Sequence, residues 1–501
     1  MADFAKTIAD AYEFEGESLD LGRGVHEGKV HEDAPVRLPL ATSNRHGLIA
    51  GATGAGKTRT LQLLAEQLSA AGVPVVAADV KGDVSGIAQP GEAGGPAEKR
   101  AAELGQEWTP TGFPAEYFSL GGIGPGIPIR ATVSDFGPLL LAKILEANET
   151  QEQSLSLVFR YADEKALPIL DLADLRALLT FFDSDEGKAE LKGIGGVSSA
   201  TIGVLLRSLV QLEDGGGTEF FGEPHLELAD LLRLAPDGRG VISLLQLPAV
   251  QDKPKLFSTV LMWLLAELFE QLPEVGDIPK PKLVFFFDEA HLLFADATDA
   301  FLDSVVQTVR LIRSKGVGVY FITQTPKDIP ADVLAQLGNR IQHALRAFTP
   351  QDAKALKATV STFPTTELYD LEELLTQLGI GEAAVTILSE SGVPTPVVHT
   401  KLRGPLARMA AADDVDGAAK ASQLFAKYGT RVDRESAREL LVARMKQSAP
   451  EPEPVGAAPR RRRAESAGSG DPLTDFLGSR QGKALQREVV RGMFGLLRKR
   501  L

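Results

Sequence analysis

The stretch Gly51-Ala52-Thr53-Gly54-Ala55-Gly56-Lys57-Thr58 decides the fold. It satisfies G-x-x-x-x-G-K-[ST] at every position, the pattern of a phosphate-binding loop. The residue types follow from the chemistry. Glycines let the backbone curl until successive N–H groups face one phosphate chain, and the helix that follows adds its positive N-terminal end. Lys57 is expected to reach the β- and γ-phosphates, and the Thr58 hydroxyl to ligate Mg²⁺. All eight residues, Gly51 to Thr58, are candidate nucleotide-binding residues, and ATP with Mg²⁺ is the expected ligand pair.

The flanks agree with this reading. Residues 46–50 form a compact apolar approach. Residues 58–71 carry Leu61, Leu63, Leu64 and Leu68 at helical spacing. Residues 73–78 are a continuous apolar run, as expected of a parallel strand covered on both faces. Strand, loop, helix and strand make one βαβ unit.

The second half of the expected site is Leu283-Val284-Phe285-Phe286-Phe287-Asp288-Glu289. Five apolar residues predict a buried strand whose C-terminal end releases two carboxylates, where open α/β sheets bind their ligands. Asp288 is the expected Mg²⁺ partner beside Thr58, and Glu289 the group that polarises the attacking water. A water-orienting carboxylate favours hydrolysis over small-molecule kinase chemistry. Residues 317–323 predict another strand, ending at Gln324. This side chain holds both a donor and an acceptor, so it can contact the γ-phosphate and the water together. Arg310 and Arg313 lie one helical turn apart before that strand, and either suits a phosphate-contacting arginine. The alternative, surface charges at a helix C-terminus, stays open. Asp79 ends the second strand and reads equally as a support for the metal site or a polar loop exit. Asp288-Glu289-Ala290-His291 spells D-E-A-H, but the partner motifs of a superfamily-two helicase do not follow it. His291 reads as a coupling or structural residue.

Composition bounds the rest. The chain has 501 residues, 44% hydrophobic and 24% charged, which predicts more than one structural unit in a soluble globular protein. A net charge of −14 repels nucleic acid in bulk, so any DNA contact is expected through local loops. The absence of cysteine excludes disulfides and thiolate metal sites. Residues 1–16 do not read as a signal peptide, and the apolar run 256–269 is too short to span a bilayer. A cytoplasmic protein is expected.

The predicted organisation is a short N-terminal extension (1–45) and an α/β core (46–90 and 235–405) interrupted by a mostly helical insertion (91–234). A helical segment (406–446), a disordered linker (447–471) and a basic amphipathic segment (472–501) follow. Further strands are predicted at 241–247 and 341–345, helices at 256–272 and 298–314, and a hairpin over 384–400. Arg460 to Arg463 form a basic run within the linker, read as solvated or as a contact for an acidic partner or nucleic acid. The last segment is read as a docking element for a protein partner or as a helix packed on its own core.

Several strings together carry a family resemblance: H-G-L-I-A-G-A-T-G-A-G-K-T, A-D-V-K-G-D, F-F-G-E-P at Phe220 to Pro224, and L-V-F-F-F-D-E-A-H-L-L-F. V-R-L-I-R-S-K-G-V-G-V-Y-F-I-T-Q and L-G-N-R-I-Q-H-A-L-R-A-F-T-P complete the set. They resemble a bacterial family of HerA-like ATPases, a branch of the HerA–FtsK class, from about Ala5 to Leu402 and again from Phe476 to Leu501. The resemblance implies a RecA-like core, homo-hexameric rings with sites between subunits, and translocation along DNA. It also implies an arginine in an R-x-x-G context before the sensor strand, which Arg313-Ser314-Lys315-Gly316 matches, so Arg313 is preferred to Arg310. The residues before Gly51 are too few for the N-terminal β-barrel of HerA helicases. A motor ATPase is the leading expectation. A switch or scaffold ATPase that controls partner assembly without translocating is the alternative.

Overall fold

The computed structural model describes residues 4–294 and 299–448. Its strands are β1 (Ser18–His26), β2 (Lys29–Pro39), β3 (Gly47–Ala50), β4 (Val75–Asp79), β5 (Ala115–Leu120) and β6 (Ile127–Ile129). They continue with β7 (Ile242–Gln246), β8 (Leu283–Phe287), β9 (Val317–Thr323), β10 (Asn339–Gln342), β11 (Glu382–Thr386) and β12 (Val398–Leu402). All join one 12-stranded sheet in the order β2-β1-β12-β11-β10-β3-β9-β8-β4-β7-β5-β6. From β10 to β6 every neighbour runs parallel. From β10 to β2 every neighbour runs antiparallel. This is the α/β, RecA-like P-loop architecture.

The apolar runs explain the parallel half. Every residue of β3, β4, β7, β8 and β9 is buried, as befits strands with both faces covered. Side chains alternate between faces. Phe285 and Phe287 pack into the layer holding the apolar helix Pro254–Gln271. Val284 and Phe286 pack on the opposite side, with Leu61, Leu64 and Leu68 of the helix Lys57–Ala70.

Between β6 and β7 lie the helices Val133–Ile144, Glu149–Glu164, Leu172–Asp183 and Ser199–Leu212. Asn148 and Asp171 begin two of them with reciprocal capping boxes, which satisfy N–H groups that a helix start leaves open. The expected helical insertion, residues 91–234, also holds β5 and β6, which extend the main sheet. Their brevity hides them: β5 sits between Pro114 and Gly121-Gly122, and β6 has three residues. The N-terminal residues also exceed their expected role. Residues 36–40 read as a strand-like run in the sequence, and residues 36–39 end a β1–β2 ribbon that hydrogen-bonds to β12.

After β12 the chain straps back over the core. Both Leu406 and Ala407 donate N–H bonds to the buried Glu66 carboxylate. The helices Val415–Ala421, Gln423–Tyr428 and Ala437–Ser448 follow. Tyr428 donates to Asp230, and Ser436 to Asp174. Residues 449–501, which carry most of the expected linker and the whole basic segment, lie outside the described residues. No helix among those described is long and apolar enough to cross a membrane.

Gly47 opens β3 against the ring of Tyr320, and a Cβ there would overlap that buried ring. The expected cost of Gly47→Ala is about 1–3 kcal/mol, the usual range for overpacking, read as an earlier midpoint in urea unfolding. An unchanged midpoint would show that the ring moves aside freely.

Candidate functional site

Parallel strands bring their C-terminal ends to one edge, and the chemistry collects there. Ala50 of β3 leads into the Gly51–Thr58 loop. β8 delivers Asp288 and Glu289, β9 delivers Gln324, and β4 ends in Asp79. The loop is held from two sides. Gly51 N–H donates to the Thr323 carbonyl at 3.2 Å, and Ala52 N–H to the Ala344 carbonyl at 2.8 Å. Gly51 has a φ of +154°, and a Cβ there would stand 2.5 Å from His343 Cβ, so the close passage of two chain segments requires glycine.

The Lys57 ammonium folds back on its own loop, donating to the Gly51 carbonyl at 2.7 Å and the Ala52 carbonyl at 3.2 Å. Burial pulls its pKa down, opposed by the charges of Glu289 and Asp288. Loop lysine and acid pair therefore share one electrostatic neighbourhood. Thr58 is half-buried in the first turn of the helix Lys57–Ala70.

Asp288 is buried, and burial together with the neighbouring Glu289 charge pushes its carboxyl up to about 7. Its Oδ1 accepts the Glu289 N–H at 2.9 Å. Glu289 has a φ of +49°, a left-handed conformation that a side-chain-bearing residue holds only when its surroundings impose it. The anchor is Ala290 N–H, which donates to the Ile322 carbonyl at the end of β9 at 2.8 Å. Lys81 Nζ contacts Glu289 Oε1 at 3.0 Å, and His291 Nδ1 lies 3.5 Å from Oε2. Asp79 is also buried, and burial, followed by the Asp83 charge, pushes its carboxyl up to about 6. Gln246 donates to Asp79 Oδ2 at 3.3 Å, whereas Oδ1 has no hydrogen-bond partner among the described residues. A buried acceptor left open on the sheet edge that also carries Lys57, Asp288 and Glu289 fits a site completed by a divalent cation, its waters and phosphates.

Gln324 is exposed at the end of β9, next to the Thr323 carbonyl that receives the Gly51 N–H. Arg313 is not near this edge. It lies in the turn Arg313–Lys315 at the opposite end of β9. The strand has seven residues, so roughly 23 Å of chain separates the two ends at about 3.3 Å per residue. Arg313 shares a cavity of about 630 Å³ with Arg310, Arg45 and Arg340. Its Nη2 stands 3.8 Å from the exposed Asp277.

Sequence reasoning missed Lys81 and His343. Lys81 lies within A-D-V-K-G-D, but its partner is 208 positions away. His343 is fully buried beneath the loop. Its Nε2 is 2.9 Å from the Thr60 hydroxyl and its Nδ1 is 2.9 Å from the Glu382 carbonyl. A carbonyl only accepts, so Nδ1 carries the proton and Nε2 accepts from Thr60. Burial pulls this imidazole down to about 4, which keeps it neutral. The tightly packed G-N-R-I-Q-H string was the available signal, yet no motif assigns its histidine a role.

A mainly parallel sheet that presents a complete phosphate loop beside an aspartate–glutamate pair defines a P-loop ATPase. The family model described as Helicase HerA-like C-terminal matches residues 25–499, and the chain belongs to that family. No curated protein matches the sequence. Among solved structures the fold is similar to that of the bacterial conjugative coupling protein TrwBdeltaN70 in an unbound form. Identity is 14%, the TM-score is 0.52, and the match covers 81% of this chain and 95% of that one. The plasmid coupling protein TrwB in complex with the non-hydrolysable ATP analogue ADPNP matches at 16% identity and a TM-score of 0.51, over 80% and 98% of the two chains.

Replacing His343 with leucine removes the acceptor for Thr60 and the donor for the Glu382 carbonyl. Nucleotide affinity is expected to fall about tenfold, the equivalent of one buried polar group left unpaired, measured by calorimetric titration. A thermal melt distinguishes this loss from unfolding. Wild-type affinity would make His343 a packing residue only.

Proposed function

We propose that this chain is an ATP-driven motor that works as a ring, with each active site completed by the neighbouring copy. The observation that carries the reading is the placement of Arg313. A phosphate loop and an arginine-lined face occupy opposite edges of one sheet, so no chain brings its own Arg313 to its own loop. Head-to-tail contact joins the two faces, and such heterologous contacts close into rings. A homo-hexamer is the form the HerA–FtsK class implies.

In this reading the phosphates of ATP lie over the N–H groups of residues 51–58, with Lys57 turning from the loop carbonyls to the phosphate oxygens. Thr58 and Asp288 hold Mg²⁺, which supplies neutralisation of the phosphate charge. Glu289 orients the attacking water and accepts its proton, Gln324 contacts the γ-phosphate and that water, and Arg313 arrives in trans. The coupling proteins named above share the fold, and DNA is the polymer proposed for this chain. With a net charge of −14, contact with DNA falls to local loops. The same acidic balance favours a second reading, in which hydrolysis switches the assembly of a protein partner and nothing is translocated. ATP turnover measured with and without single- and double-stranded DNA, alongside the particle mass, separates the two. Stimulation by DNA supports the motor, and indifference to DNA supports the switch.

Lys57→Ala is expected to abolish turnover. Glu289→Gln keeps the shape of the side chain but not its charge, so ATP and Mg²⁺ still bind while hydrolysis drops by two orders of magnitude or more, roughly the range for a lost general base. Wild-type turnover in that variant removes Glu289 from the chemistry.

Arg313 is tested by mixing. An arginine finger contributes on the order of 10³ to 10⁵ in rate, so Arg313→Ala alone and Lys57→Ala alone are both silent. A mixed ring has some interfaces with intact Lys57 and intact Arg313, and activity returns in part. Silence in rings shown by mass to be mixed rejects the shared site.

A further inference from the structure

A second cavity of about 630 Å³ opens directly off the phosphate loop, between Ala52–Ala55 and the segments carrying Phe348 and Ile380. Those two side chains are unusual in this protein. Phe348 is 81% exposed and Ile380 75% exposed, although each stands on a firmly held segment. Ala344, at the root of the first, accepts the Ala52 N–H at 2.8 Å, and Leu345 N–H donates to the Leu375 carbonyl at 2.8 Å. On the other side Gly381 N–H donates to the Ala55 carbonyl at 3.1 Å, and Arg100 donates to the Ile380 carbonyl at 3.0 Å. Leu345, Leu375 and Leu378 anchor both segments in a small buried cluster of their own. Two large apolar groups are thus held in water at fixed positions beside the loop, an arrangement that costs solvation unless a ligand covers them.

Resting on the assignment of residues 51–58 to phosphates, we propose that Phe348 and Ile380 are the two walls of the base subsite. The base stacks on the Phe348 ring and Ile380 closes over its other face. Stacking is available to every base and grows with ring area, so the walls select a purine over a pyrimidine. Three polar side chains line the cavity, Thr53, Arg346 and Thr376, and Thr53 belongs to the phosphate loop itself. The Thr376 hydroxyl already donates to the Glu373 carbonyl at 2.8 Å. The Arg346 guanidinium lies 6.0 Å from the Phe348 ring centroid and only donates. A donor suits the N7 acceptor that adenine and guanine share. The subsite therefore selects purine nucleoside triphosphates as a class and admits GTP beside ATP.

The test uses the full chain and reads calorimetric Kd together with KM and kcat. The probes are ATP, GTP, CTP, UTP and inorganic tripolyphosphate. In the wild type, ATP and GTP are expected within about fivefold of each other, and both at least tenfold tighter than tripolyphosphate, the scale of one base stacked on an aromatic ring. Phe348→Ala is expected to raise Kd and KM for ATP about tenfold, with a smaller change in kcat and none in tripolyphosphate binding. Phe348→Tyr restores the wild-type values, and Ile380→Ala weakens ATP to a lesser extent. ATP affinity unchanged in both alanine variants overturns the subsite. GTP weaker than ATP by about a hundredfold or more overturns its breadth, since that gap of about 2.7 kcal/mol requires edge-reading contacts. A wild-type chain that binds ATP no tighter than tripolyphosphate overturns the base subsite alone. One that binds neither overturns the assignment of the phosphate loop itself.

Discussion

The phosphate loop stands because two neighbouring strands hold it by the backbone. Gly51 donates to the end of β9, and Ala52 donates just beyond the end of β10. A loop whose N–H groups must point at an anion cannot spend them on one another, so its shape has to come from outside. The Gly381 N–H supplies a third tie, at the Ala55 carbonyl. His343 fills the space beneath, where a side chain on Gly51 would collide with it. Each contact joins the loop to a segment hundreds of positions downstream in the chain.

That dependence explains the order of the sheet. With β9 on one side of β3 and β10 on the other, one edge gathers a lysine, two acids, a glutamine and a buried histidine from separate strands. The opposite edge gathers arginines by the same logic, since β3, β9 and β10 begin there. A parallel sheet has two chemically distinct ends. This one carries acids and a phosphate loop at one end and guanidinium groups at the other, the separation on which the proposed shared site rests.

Much of the fold was legible because the signals were local. The runs at 73–78, 283–287 and 317–323 are continuous and apolar; the first became β4 with shifts of one or two residues at its ends, and the others became β8 and β9 unshifted. Leucines at helical spacing after Lys57 foretold the helix Lys57–Ala70. The elements that escaped were those whose pattern was too brief or too polar to show a period. β6 has three residues, and the part of β2 before residue 36 includes exposed Lys29, Glu32 and Asp33 at the sheet edge. Both exist because neighbours were waiting to pair with them. The F-F-G-E-P string went the other way. Specific enough to mark the family, it puts Phe220 and Phe221 against Phe136 in the buried aromatic core of the helical layer.

What the sequence by itself determined is the chemistry that a short motif completes. Residues 51–58 need only their own glycines, lysine and threonine to be recognised, and Asp288-Glu289 need only the strand before them, because those requirements sit within a few bonds. Only the tertiary structure decided what those groups face. It set Lys81 on Glu289, His343 under Thr60, and Phe348 and Ile380 on one cavity, while placing Arg313 a strand's length from its own loop. Hydrogen bonds and ion pairs act over a few ångströms of space whatever the distance along the chain, and that proximity is set by the order in which the strands assemble.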